Sequence, residues 1–113
     1  MILLTDQEVL ALTALRDVKF SHAQAARAPA LAALVWVPIN RARAGGKTVR
    51  AACTEHGVFK MWTRDDPKHL MTLAARSNNL PAWQDALQAA CRAMAGETVD
   101  PTDGATAYHD SGI

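Results

Sequence analysis

Two segments of the chain combine acids and a histidine with aromatic residues. Residues 55–62 hold Glu55 beside Phe59 and Trp62, and residues 100–110 hold three aspartates beside a tyrosine and a histidine. Both segments are predicted loops, and loops on a helical scaffold commonly present ligand-binding groups. Aromatic rings beside hydrogen-bonding groups suit sugar rings. The alternative interpretation is that the two aromatic side chains are core anchors and that the aspartates only cap turns.

Other site types are not indicated by the sequence, which contains no nucleophile elbow, phosphate-binding loop or metal-ligand cluster. The four histidines are scattered along the chain at His22, His56, His69 and His109. Their spacing does not predict a shared metal site. Cys53 and Cys91 match neither a disulfide framework nor a zinc site, and both are expected to be buried apolar residues. We therefore expect neither a metal nor another cofactor.

Composition bounds the class of protein. The chain has 113 residues, enough for a single domain over residues 1–113, and its 12 Lys+Arg and 11 Asp+Glu give a net charge of +1. A nucleic-acid partner is not expected, because such domains usually have a pI above about 9 or a basic stripe. No apolar run reaches the ~18–20 residues of a membrane span, and residues 1–6 lack the basic start of a signal peptide. The sequence thus predicts a soluble protein.

The elements that must position these residues are mainly helical, because 23 alanines and 5% aromatic residues favour tightly packed helices. The first predicted helix begins at about residue 6, and the others cover residues 30–44, 47–53, 65–77 and 81–95. Thr5 and Glu8 have the spacing of a capping box for the first helix. Pro38 is expected to kink the second helix. Residues 18–28, 54–63 and 99–113 are predicted loops, the second with strand-like and the third with short hairpin character.

Four short segments in a fixed order carry a family resemblance that covers nearly the whole chain. They are residues 10–13, Ile39-Asn40-Arg41, residues 57–62 followed by Asp65-Asp66-Pro67, and residues 100–105 followed by Tyr108-His109. In order and spacing they resemble the SleB-type, spore-cortex-lytic family of cell-wall hydrolases. The resemblance implies a compact, lysozyme-like helical domain with short loop or hairpin segments lining a cleft. It also implies action on peptidoglycan glycan strands, with one Glu as the general acid.

The catalytic Glu of that family has no direct counterpart in this chain. Alignment from residues 10–13 places Asp17 at the catalytic position, whereas alignment back from Asn40 places His22 there. Asp17 carries a carboxyl on a side chain one methylene shorter, and an imidazolium at His22 would repel the positive charge that builds on the sugar. Glu55 is a third candidate on chemical grounds, because it precedes Phe59 in the cleft-lining loop.

The sequence therefore predicts a muramidase or lytic transglycosylase with Asp17 as the proton donor. The residues expected to bind the glycan strand are Phe59, Trp62, Asp100, Thr102, Tyr108 and His109. The alternative is a catalytically inactive protein that binds glycan or serves as a structural phage-virion component on the same fold. A helical adaptor with an accidental resemblance is a third possibility. The expected place of action is the bacterial cell wall, for a phage-borne protein or a module of a larger one.

Overall fold

The computed structural model describes residues 3–19 and 23–107, and within these ranges the chain forms helices joined by turns, without a β-strand. The helices are α1 (Asp6–Leu15), α2 (Gln24–Leu34), α3 (Trp36–Gly45), α4 (Val49–Cys53), α5 (His69–Ser77) and α6 (Pro81–Met94), with a 3-10 turn at Lys60–Trp62. The predicted mainly α class is confirmed. In the described part of the chain, no helix is long and apolar enough to span a bilayer.

Helix α1 forms the centre of the domain. It begins at the predicted capping box: the Thr5 hydroxyl accepts the Glu8 N–H at 3.1 Å, and the Glu8 carboxylate accepts the Thr5 N–H at 2.9 Å. Residues 9–15 are all buried, as expected for a helix that is apolar on every side. Helices α2, α4, α5 and α6 and the 3-10 turn all pack against it. Residues at its carboxyl end, Arg16 and Asp17, therefore follow directly from the core.

The second predicted helix is two helices in the structure. Helix α2 begins at Gln24, so Pro29 lies inside it. The helix is then interrupted at Val35, and α3 starts at the next residue. Pro38 thus occupies the first turn of α3, where its missing N–H has no intrahelical acceptor to lose. The predicted end near residue 44 is confirmed, because α3 ends at Gly45 and Gly46 then adopts a left-handed conformation with φ of 62°.

The start of α5 differs from the prediction by about one turn. The sequence predicts a start at residue 65, just before Asp66 and Pro67, but α5 begins at His69 without a side-chain cap. The Asp66 carboxylate accepts from the Arg16 guanidinium and from the Lys68 N–H, which precedes the first residue of α5. The end near Ser77 is confirmed, and so is the start of the last helix at Pro81.

Cys53 is buried as expected, but Cys91 is exposed, and its predicted burial is wrong. The inner face of α6 consists of Ala82, Ala86, Ala90 and Ala93, together with Trp83. Cys91 follows Ala90 by one residue, and this turns its side chain by about 100° away from that face. The third predicted loop has no hairpin within its described residues, 99–107, which form turns.

Candidate functional site

Asn40 of α3 fixes the turn at residues 100–105. Its amide Nδ2 donates to the Asp100 carboxylate at 2.8 Å and to the Ala105 carbonyl at 3.1 Å. Asp100 also accepts the Thr102 hydroxyl at 2.6 Å and the Gly104 N–H at 2.9 Å. Burial raises the pKa of Asp100, but hydrogen bonds from Thr102, Asn40 and Gly104 outweigh it and lower that pKa to about 2. The polar groups of Asp100 and Thr102, both predicted to bind substrate, are thus engaged in holding their own turn, in line with the turn-capping alternative.

Arg41, the next residue on α3, joins the two segments that the sequence singled out. Its guanidinium donates to Glu55 Oε2 at 2.6 Å and to the Thr106 carbonyl at 3.3 Å. Lys47 donates to the other Glu55 oxygen at 2.6 Å. The hydrogen bonds from Lys47 and Arg41 lower the pKa of Glu55. Because a general acid must hold a proton near neutral pH, this environment disfavours Glu55 in that role.

A buried ion-pair cluster lies at the carboxyl end of α1. The Arg16 guanidinium, 8% exposed, donates from Nη2 and Nε to Asp66, whose side chain is 0% exposed. The bond from Nη2 is 2.7 Å long. Burial raises the pKa of Asp66, but the hydrogen bond from Arg16 contributes to a net lowering. Asp66 is therefore a fixed carboxylate that neutralises Arg16.

Asp17 shares the same guanidinium. Its Oδ1 accepts from Arg16 Nη1 at 3.0 Å. Its Oδ2 is buried and has no hydrogen-bond partner among the described residues. A cavity of about 230 Å³ adjoins Asp17 between the end of α1 and α2, and its lining is Asp17, Val18, Lys19, Ala26, Arg27 and Ala30. One carboxylate oxygen is thus held by Arg16, while the other is buried without a partner.

The two aromatic residues of the first segment have different surroundings. Phe59 is only 2% exposed and packs in the interior, which corrects the expectation that it lines a substrate cleft. Trp62 is partly exposed, and its indole N–H donates to the Thr13 hydroxyl at 2.7 Å. Trp62 lines a separate cavity with Leu4 and α5, so it does not share the cavity beside Asp17.

Three of the predicted site residues, His22, Tyr108 and His109, lie outside the described residues. Conversely, sequence reasoning missed the role of Asp66, because its position before Pro67 indicated a helix start and no local pattern reports a partner 50 residues away.

Within residues 3–19 and 23–107, no group of three or more His, Cys, Asp and Glu side chains could hold a metal ion. The chain matches no protein-family model, no curated protein and no solved structure.

Proposed function

We propose that this domain cleaves peptidoglycan glycan strands with Asp17 as the proton donor. The proposal starts from the four segments that resemble the SleB-type cell-wall hydrolases. The observation that carries it is the Asp17 Oδ2 atom, which is buried without a hydrogen-bond partner. An unsatisfied buried polar atom costs about 1–3 kcal/mol, and a catalytic role is one reason for a protein to keep such an atom. Among the described acids, Asp17 is the only one with such an oxygen.

The chemistry follows from the two different oxygens of Asp17. Oδ1 is held by Arg16, so Oδ2 carries the proton that passes to the leaving glycosidic oxygen as the carbon–oxygen bond breaks. Positive charge then builds on the sugar, and the new Asp17 carboxylate stays paired with Arg16. Capture of the sugar carbon by water gives a hydrolase, and capture by a hydroxyl of the same sugar gives a lytic transglycosylase. In both cases the proton that the attacking oxygen loses returns to the Asp17 carboxylate.

The same proposal gives the domain a lysozyme-like arrangement with a cleft and places its action at the bacterial cell wall. Support comes from Arg41, which links Glu55 through Thr106 to the loop at residues 99–107, here called the tail loop. Arg41 thus connects two segments that are distant in sequence. A phage-borne protein or a module of a larger enzyme would both use the domain in this way.

A muropeptide-release assay tests the proposal. Purified peptidoglycan is incubated with the wild type, with Asp17→Asn and with the matched control Asp103→Asn, which alters an exposed acid of the tail. We expect release by the wild type and by the control, and a loss on the order of 100- to 10,000-fold for Asp17→Asn, the usual contribution of a general acid. Circular dichroism shows that each variant is folded. Equal release by the wild type and Asp17→Asn would remove Asp17 from the chemistry.

A second candidate function is glycan binding without cleavage. The ion pair between Arg16 and Asp17 favours it, because a side chain that pairs with a buried guanidinium has a structural role that requires no catalysis. The lowered pKa of Glu55 leaves no obvious substitute near the tail loop. Sedimentation of the protein with insoluble peptidoglycan, with no soluble muropeptide from any variant, is the result that this function predicts.

A further inference from the structure

The cavity beside Trp62 has the size and the polar groups of a small-ligand site. Its volume is about 340 Å³, within the range of about 300–1,000 Å³ that is usual for such sites. It lies between the start of α1, the 3-10 turn and α5. Its lining residues are Leu4, Trp62, His69, Leu73, Arg76 and Ser77.

Two aromatic side chains of this cavity are fixed by hydrogen bonds on their inner sides. The Trp62 indole N–H donates to the Thr13 hydroxyl at 2.7 Å, and His69 Nδ1 lies 2.7 Å from the Met61 carbonyl oxygen. Since a carbonyl can only accept, Nδ1 must carry the hydrogen, and Nε2 is the ring nitrogen that is left to accept in that tautomer. The two rings meet edge to face, with centroids 6.0 Å apart. His69 therefore offers a hydrogen-bond acceptor at a fixed position.

The cationic group that lines the cavity, the Arg76 guanidinium, is paired with Glu8. Arg76 Nε donates to Glu8 Oε2 at 2.7 Å. The hydrogen bond to the Thr5 N–H is the largest influence that lowers the pKa of Glu8, so Glu8 is a carboxylate. The pair has no net charge, while the remaining guanidinium N–H groups and the Ser77 hydroxyl supply donors. A neutral ligand with a carbonyl group suits this site better than an anion does.

We propose that this cavity binds the acetamido group of an N-acetylated amino sugar. The amide N–H donates to His69 Nε2, and the amide carbonyl accepts from Arg76 or Ser77. The methyl group packs against Leu4 and Leu73, and the sugar ring lies beside Trp62. The choice of an amino sugar among small amides rests on the proposed function, because the sugars of peptidoglycan carry acetamido groups. The cavity then selects the N-acetylated strand through residues other than Asp17.

Titration with three trisaccharides tests this proposal. Triacetylchitotriose carries acetamido groups, the glucosamine trimer carries amines, and cellotriose carries hydroxyls at the same positions. In two-dimensional ¹H–¹⁵N spectra we expect saturable shifts at the Trp62 indole and along α5 with the acetylated trimer only. The proposal would be overturned by equal shifts with cellotriose or by shifts confined to other parts of the molecule. It would also be overturned if no shifts appear up to a ligand concentration of about 1 mM, about a 20-fold excess over the protein.

Two variants separate the hydrogen bond from the apolar volume. His69→Phe keeps a ring beside Trp62 but removes the acceptor, and we expect affinity for triacetylchitotriose to fall about 3- to 10-fold, the effect of one neutral hydrogen bond. Leu73→Phe fills the cavity and should abolish binding while the polar groups remain. The control is His56→Phe, at an exposed histidine, which should bind as the wild type does. Unchanged affinity in both cavity variants contradicts the proposal, and dispersed spectra show that they are folded.

This test and that of the proposed function can fail independently. Binding is measured equally well in Asp17→Asn, which removes cleavage but does not alter any residue that lines the cavity. Acetamido-dependent shifts without muropeptide release would support acetamido binding by the cavity and refute glycan cleavage by the domain. Muropeptide release without such shifts would support cleavage and refute acetamido binding by the cavity.

Discussion

The buried pair of Arg16 and Asp66 should dominate the stability of the carboxyl end of α1. In Asp66→Asn, the guanidinium loses the charge of Asp66 while remaining 8% exposed, and its ion pair with Asp17 is the one that is left. Removing one partner of a buried ion pair typically costs 3–5 kcal/mol, because an uncompensated charge stays buried. Since Arg16 still donates a hydrogen bond to Asp17, we expect the lower end, about 3 kcal/mol. That is a large share of the roughly 5–15 kcal/mol that stabilises a domain.

Urea unfolding measures this loss directly. With a denaturant dependence of about 1–3 kcal/mol per molar for small proteins, the midpoint should fall by about 1–3 M urea. The matched control is Asp6→Asn, which breaks an exposed pair with Arg50 whose side chains are 48% and 45% exposed. Such a pair contributes about 0–1 kcal/mol. A triple variant, Arg16→Met with Asp17→Leu and Asp66→Leu, should recover most of the loss because no charge of the cluster remains.

The same pair predicts the sign of the pH dependence. The pKa of Asp66 in the folded protein lies below its ordinary value of 3.8, so its stabilising contribution is present above that value and is lost as the pH falls below it. The difference in unfolding free energy between the wild type and Asp66→Asn should therefore be largest near neutral pH and shrink below about pH 4. An Asp66→Asn variant within 0.5 kcal/mol of the wild type at pH 7 would refute the reasoning, because its pair would then behave as an exposed one.

Three further predictions concern other parts of the fold. Burial raises the pKa of the Cys53 thiol to about 11, so iodoacetamide at pH 8 should alkylate Cys91 and leave Cys53 unmodified until the protein unfolds. Mass spectrometry measures both modifications, and alkylation of both thiols at equal rates in the folded protein would contradict this prediction. The pKa of Asp100 is about 2 against an ordinary 3.8, so its contribution to the free energy of unfolding is present above pH 3.8 and is lost towards pH 2. The difference in that free energy between the wild type and Asp100→Asn should shrink over this pH range, and a constant difference would contradict the prediction. Thr5→Ala should lower the free energy of unfolding by about 0.5–2 kcal/mol in urea titrations, whereas Thr5→Ser should preserve the cap.

Local signals in the sequence predicted the parts of the fold that local interactions determine. The capping box at Thr5, the helix end near residue 44 and the helix start at Pro81 all depend on residues within one turn of each other. The break at Val35 and the start of α5 were missed. The α5 start depends on Asp66, whose carboxylate pairs with Arg16 from a distant part of the chain. A helix-start pattern cannot reveal such competition, because the competing partner is not local.

The candidate site divides in the same way. Sequence order suggested that residues 55–62 and 100–110 act together, and the structure joins Glu55 to the tail loop through Arg41. The environments of the acids were not predictable, because they depend on which cations fold beside them. Lys47 and Arg41 hold Glu55 as a carboxylate, whereas the single bond to Asp17 leaves one of its oxygens unpaired. Composition identified the candidate acids, and tertiary contacts distinguish them.

The most direct test of the central claim is the initial rate at which Asp17→Asn, relative to the wild type, releases soluble disaccharide-peptides from purified peptidoglycan. Mass spectrometry of the products identifies them as reducing sugars or anhydro sugars. If Asp17 donates the proton, the wild type produces one of these series and the rate for folded Asp17→Asn falls by at least about 100-fold. Equal rates for the two proteins, or no product from the wild type, would contradict the claim.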